Sequence, residues 1–159
     1  MDAAILLWLA MALGFTAHVL IASALFLRRT RASSALTDPA ILHLFAECKD
    51  AMGVHIPVEL SVTGAIGGPV LAGFIRPRLL LPRNVSLQLT PHQLRFILLH
   101  ELAHVKRRDV LISWMTTVLQ AAHWFNPLVW YAFYRMRLDR EMACDALVLS
   151  RLREEETRR

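Results

Sequence analysis

A chain of 159 residues is long enough for one domain with its own core and too short for two comfortable ones. More than half of it is apolar, 55%, and its mean hydropathy is positive, which argues against a freely soluble protein. The net charge of +5 raises nucleic acid as a partner, but the basic residues stand in short clusters beside apolar runs without aromatic interleaving. That pattern suits a membrane surface, and no nucleic-acid partner is expected. Cys48 and Cys144 are too few for a disulfide framework.

The first element is AAILLWLAMALGFTAHVLIASALFL, residues 3–27, which contains no charged side chain. As a helix it covers about 37 Å, enough to cross a hydrocarbon core of about 30 Å with some tilt. It is long for a secretory signal, and Arg28, Arg29 and Arg31 follow it rather than precede it. Under the positive-inside rule those arginines stay cytoplasmic, and the rest of the chain follows on the inner face. The expected organisation is a transmembrane anchor over 1–29, a small polar linker over 30–38, a catalytic domain over 39–150 and a charged tail over 151–159.

Pro39 opens a helix with apolar residues Ile41, Leu42, Phe45, Cys48 and Met52 at helical spacing, and Gly53 stands at its C-cap. Residues 54–85 then change texture. VELSV alternates, PVLAGF and RLLLP are short β-prone runs, and glycines and prolines punctuate them. They predict a small antiparallel sheet of about three strands, so the fold class is α+β.

Thr90, Pro91 and Gln93 form a capping-box signature ahead of LRFILLHELAHV. On that helix His100 and His104 are four residues apart and share a face. Two imidazoles so placed can grip one zinc ion, while Glu101 on the adjoining face reaches a coordinated water without binding the metal. Zinc lowers the pKa of such a water to about 7, and the carboxylate serves as its general base. Each letter of H-E-x-x-H thus has a chemical reason, and the expectation is hydrolysis of a peptide bond.

A catalytic zinc needs a third protein ligand. Asp109, His123, Asp139, Glu141 and Asp145 are the downstream candidates. Asp109 follows the helix by five residues from His104 and is expected off its face. Glu141 and Asp145, at i and i+4, are better placed to divide two roles, one binding metal and one fixing the tautomer of a ligand histidine. A single helix over 105–141 would leave Glu141 about 55 Å away. The chain must therefore reverse, and Asn126-Pro127 is the place. Residues 110–134 carry no formal charge but have basic residues at both ends, which predicts a helical hairpin turned at Phe125-Asn126-Pro127 that dips into the membrane or lies along it.

HELAHVKRRD, WFNPLVWYAFYRMRLDREMACDALVL and the upstream GGPVLAGFIRPRLLLP resemble the BlaR/MecR-type membrane metallopeptidases, antibiotic-sensing transducers of some bacteria. The resemblance covers roughly residues 40–150. It implies a gluzincin-like zinc peptidase with His100, His104 and Glu141 as ligands, Glu101 as base and Asp145 supporting a ligand histidine. It also implies an edge strand, here Gly68–Phe74, that holds substrate backbone by strand addition. An oxyanion-stabilising side chain is left open among His123, Tyr131 and Tyr134.

Two departures stand out. Members of that type carry several spanning helices before the catalytic region and an extracellular ligand-binding domain after it. This sequence shows one such helix and stops at RLREEETRR. Direct β-lactam sensing is therefore not expected; a truncated reading frame, a fragment, or a minimal protease worked by a separate sensor protein would each fit. The function expected is a membrane-anchored zinc endopeptidase acting on a protein, a repressor or itself, with the lipid bilayer as its other partner. The rivals are a non-catalytic zinc-binding signalling module and a membrane assembly protein without metal.

Overall fold

The computed structural model describes residues 2–30, 33–73, 75–85 and 89–157. Arg31 and Phe74, which carried part of the sequence reading, lie outside them. Helix α1 (Ala3–Thr30) is followed by strand β1 (Ser34–Ala35), α2 (Pro39–Met52), β2 (Glu59–Thr63), β3 (Val70–Ala72) and β4 (Arg78–Pro82). Three further helices complete the order: α3 (Pro91–Arg107), α4 (Asp109–Ala122) and α5 (Pro127–Thr157). The protein is a mostly helical α+β fold.

The sheet corrects one expectation. It has four strands in the order β1-β2-β4-β3 and is mixed. β1 pairs with β2 and β3 with β4 in antiparallel fashion, but β2 and β4 run parallel, with Leu60 opposite Leu79 and Val62 opposite Leu81. The reason is that β3 is inserted beyond β4, so the chain returns to β2 in its original direction. Ser34 and Ala35, in the segment read as a linker, form the outer strand against Val62 and Ser61.

β4 is central, and Leu79, Leu80 and Leu81 are all buried. One face packs on α3 through Leu94, Leu98, Leu99 and Leu102; α2 adds Ile41, Phe45, Cys48 and Met52, and the second half of α5 adds Cys144 and Val148. Burial of these side chains, at about 25 cal/mol per Å² of apolar area, is what holds α3 at the centre. Both predicted caps are present. Asp38 and Pro39 start α2, while Gly53 ends it at φ 65° with its N–H donated to Asp50. Thr90 and Gln93 close the capping box of α3.

α1 is long and apolar enough to cross a membrane, and its most apolar stretch is entirely unburied. It touches α4 through the Trp8 indole, which donates to the Ala122 carbonyl at 3.0 Å, and meets α5 where Phe15 packs edge-on against Trp130 at 5.8 Å. The reversal falls where expected. α4 ends at Ala122, and Asn126 caps α5 by accepting from the Leu128 N–H at 3.0 Å. Met115, Val118, Phe125 and Leu128 around that turn are exposed.

Candidate metal centre

α3 presents His100, Glu101 and His104 to the floor of a cleft of about 530 Å³, walled by Pro69–Leu71 of the β3 edge and by Arg137, Arg140 and Glu141 of α5. The side chains are half-buried rather than enclosed: 21% of His100 and 16% of His104 is exposed. The apolar faces of α3 are consumed by the core, so its polar residues collect on the remaining strip. β3 is the outer strand of the sheet and lies beside the histidines, so its free edge borders the cleft.

Three donor atoms converge there. His100 Nε2 and His104 Nε2 are 3.2 Å apart, and Glu141 Oε2 stands 3.5 Å from the first and 3.6 Å from the second. Ligands held 2.0–2.1 Å from a tetrahedral ion stand about 3.3–3.4 Å apart, so the triangle has the size a zinc ion requires.

The outer nitrogens strengthen the fit. Asp109 Oδ2 accepts from His104 Nδ1 at 2.8 Å, and Asp145 Oδ1 lies 3.0 Å from His100 Nδ1, within ion-pair distance although not aligned as a hydrogen bond. With each Nδ1 carrying the proton toward a carboxylate, both Nε2 atoms turn lone pairs toward each other and toward Glu141. Two lone pairs and a carboxylate oxygen at such distances repel unless a cation sits between them.

Asp109 departs from the position expected of it. It is not off the face of the histidine but bonded to it. Arg108 adopts φ 56°, the left-handed conformation, and serves both as the C-cap of α3 and as the residue before α4. A non-glycine residue there is uncommon, so no glycine or proline marked the break. The chain turns at Arg108, and Asp109 folds back onto His104 instead of continuing around the helix. Its carboxylate is only 7% exposed and also faces Arg107 Nε at 3.5 Å. Arg140 donates to its backbone carbonyl at 3.1 Å and to Ser113 Oγ at 3.0 Å.

Cys144 completes this buried side. Its Sγ is 3.3 Å from His104 Nδ1 and 3.5 Å from Asp109 Oδ2. Burial, reinforced by the negative charge of Asp109 and the hydrogen bond to it, pushes the thiol up to about 12. His104, Asp109 and Cys144 could together hold a metal. His104 Nδ1 is already engaged by Asp109, however, so this trio backs the histidine from behind.

The Glu101 side chain makes no hydrogen bond among the described residues. Burial raises its carboxyl above the usual carboxylate range, with Glu141 adding to the rise and the two histidines opposing it. A half-desolvated, unengaged carboxylate at the cleft floor is suited to take up a proton.

Of the other third-ligand candidates, Asp139 is exposed and His123 bonds the Leu119 carbonyl at the hairpin turn; neither lines the cleft. Tyr131 and Tyr134 are 61% and 59% exposed and do not line it either. The cleft's other polar wall residues are Ser113, Arg137 and Arg140. The sequence signal for Arg137 was present: Arg137, Glu141 and Asp145 recur every four residues and so form one stripe of α5.

The chain is similar to known proteins. The profile of the family described as BlaR1 peptidase M56 matches residues 1–159. The chain is 39% identical over 117 residues, 74% of its length, to the regulatory protein BlaR1 of Bacillus licheniformis. It is 30% identical over 125 residues, 78% of its length, to the methicillin resistance mecR1 proteins of Staphylococcus aureus and Staphylococcus epidermidis. These matches span 19% and 21% of the relatives' own length, so the chain corresponds to about a fifth of each.

Proposed function

The chain belongs to the BlaR1 peptidase M56 family, and on that premise we propose that it is a zinc-dependent endopeptidase of the gluzincin type, anchored in the membrane by α1. The observation that carries the reading is the triangle of His100 Nε2, His104 Nε2 and Glu141 Oε2 with an unengaged Glu101 beside it. Bound there, zinc would supply a Lewis acid that polarises a water and the scissile carbonyl.

The protein's own groups do the rest. His100 and His104 present their lone pairs when each carries its proton on Nδ1, which bonds Asp109 in His104 and faces Asp145 in His100. Glu101 accepts the proton of the attacking water and returns it to the leaving amine, a task to which its raised pKa is suited. The free edge of β3 offers backbone N–H and C=O groups to an extended peptide, which would lie across the cleft as an added strand.

Its substrate in this reading is a protein, a repressor or the chain itself, as the peptidase family suggests. The names of the relatives, a regulatory and a resistance protein, support a role in signalling. The catalytic part, residues 39–150, lies on the cytoplasmic face of the inner membrane in this reading, with 1–29 as anchor, 30–38 as linker and 151–159 as tail. The exposed apolar residues of the α4–α5 turn, and the contacts of Ala122 and Trp130 with α1, support a hairpin tip dipping into lipid beside the anchor. Protein purified in detergent and stripped with a chelator tests this. Cleavage of an unfolded protein substrate should vanish and return with one equivalent of zinc; cleavage indifferent to the chelator would contradict it.

A further inference from the structure

The stripe on α5 that contributes Glu141 and Asp145 begins one turn earlier with Arg137. The two acids have ring nitrogens facing them. Arg140, three residues on from Arg137, spends its guanidinium on the Asp109 carbonyl and Ser113. Arg137 has no hydrogen bond or ion pair among the described residues, is exposed, and lines the cleft together with His100, Glu101, His104 and Glu141. Glu141 faces the histidines and Asp109 bonds His104, so among the described residues Arg137 is a cleft cation that neither of these acids engages.

We propose that Arg137 is a specificity residue that binds an acidic side chain of the peptide lying along β3. The inference rests on the peptidase reading of this cleft. A guanidinium forms a forked, charge-assisted pair with a carboxylate, a geometry that neither a glutamine nor a lysine on the peptide can complete.

The deciding experiment reads binding, so that it does not depend on turnover. The Glu101→Gln protein in detergent, loaded with zinc, is titrated with fluorescent heptapeptides of a valine–alanine background in which Glu, Gln or Lys is placed at each position in turn. At one or two positions the Glu peptide is expected to bind about threefold to tenfold tighter than its Gln counterpart, the range of a partly exposed pair. In the Glu101→Gln, Arg137→Glu protein the order should invert in favour of Lys at the same positions, with zinc content unchanged. Equal binding of all three peptides, an order that survives Arg137→Glu, or no measurable binding would each overturn the proposal. Cleavage by protein with Glu101 intact supplies a separate arm. A KM preference that inverts in Arg137→Glu supports a role in recognition, whereas a kcat loss shared by all peptides would overturn it in favour of oxyanion stabilisation. Absence of any cleavage while binding discriminates would count against the hydrolase reading alone.

Discussion

The two histidines are held by the same chemistry in two different environments. His104 Nδ1 donates to a carboxylate that is 7% exposed, fixed by a chain turn and surrounded by Arg107, Arg140 and Cys144. His100 Nδ1 faces a carboxylate that is 54% exposed, brought from a separate helix and out of hydrogen-bond alignment. One side of the centre is built into the fold and the other is adjustable. A buried charge must be partnered wherever the protein is folded, because its desolvation has already been incurred. An exposed one is screened by water and contributes little until a ligand orders it.

The comparison breaks most sharply at Asp109. Asp109→Ala leaves His104 and Arg107 without their carboxylate partner, and removing one member of a buried pair costs about 3–5 kcal/mol. Thermal unfolding in detergent should show this loss together with a fall in zinc affinity of about 10–100-fold. Asp145→Asn is expected to reduce zinc affinity by about tenfold at most while changing stability by less than about 0.5 kcal/mol. Equal destabilisation by the two changes would dissolve the distinction. The smallest effect concerns accessibility. Cys144, buried and with its pKa pushed up to about 12, should resist maleimide at pH 8 in the native protein and react on unfolding. Rapid native labelling that is lost in Cys144→Ser would mean that the side behind His104 is open to water.

Much of this was legible before the fold. The capping box, H-E-x-x-H and the i, i+4 pair at Glu141 and Asp145 are local patterns, since each is set by neighbours within a helical turn. The hairpin was legible because Asn126-Pro127 is a strong stop signal. What escaped depends on contacts distant in sequence or on an unmarked backbone. The parallel pairing of β2 with β4 is decided by where β3 inserts, which no strand's own alternation records. Asp109 was set aside because Arg108 gives no warning of a left-handed turn. Arg137 reads from sequence only as part of the basic flank after residue 134, because its place in the cleft depends on the wall opposite, although its spacing from Glu141 is visible.

The central claim is that Glu101 performs proton transfer beside a zinc held by His100, His104 and Glu141. The most direct measurement compares native protein with Glu101→Gln for zinc content and for cleavage of an unfolded substrate in the same preparations. The account predicts one zinc per chain in both and at least a hundredfold loss of cleavage in the variant, the lower end of what general-base catalysis contributes, about 10²–10⁴-fold. Undiminished cleavage by zinc-loaded Glu101→Gln protein would contradict it.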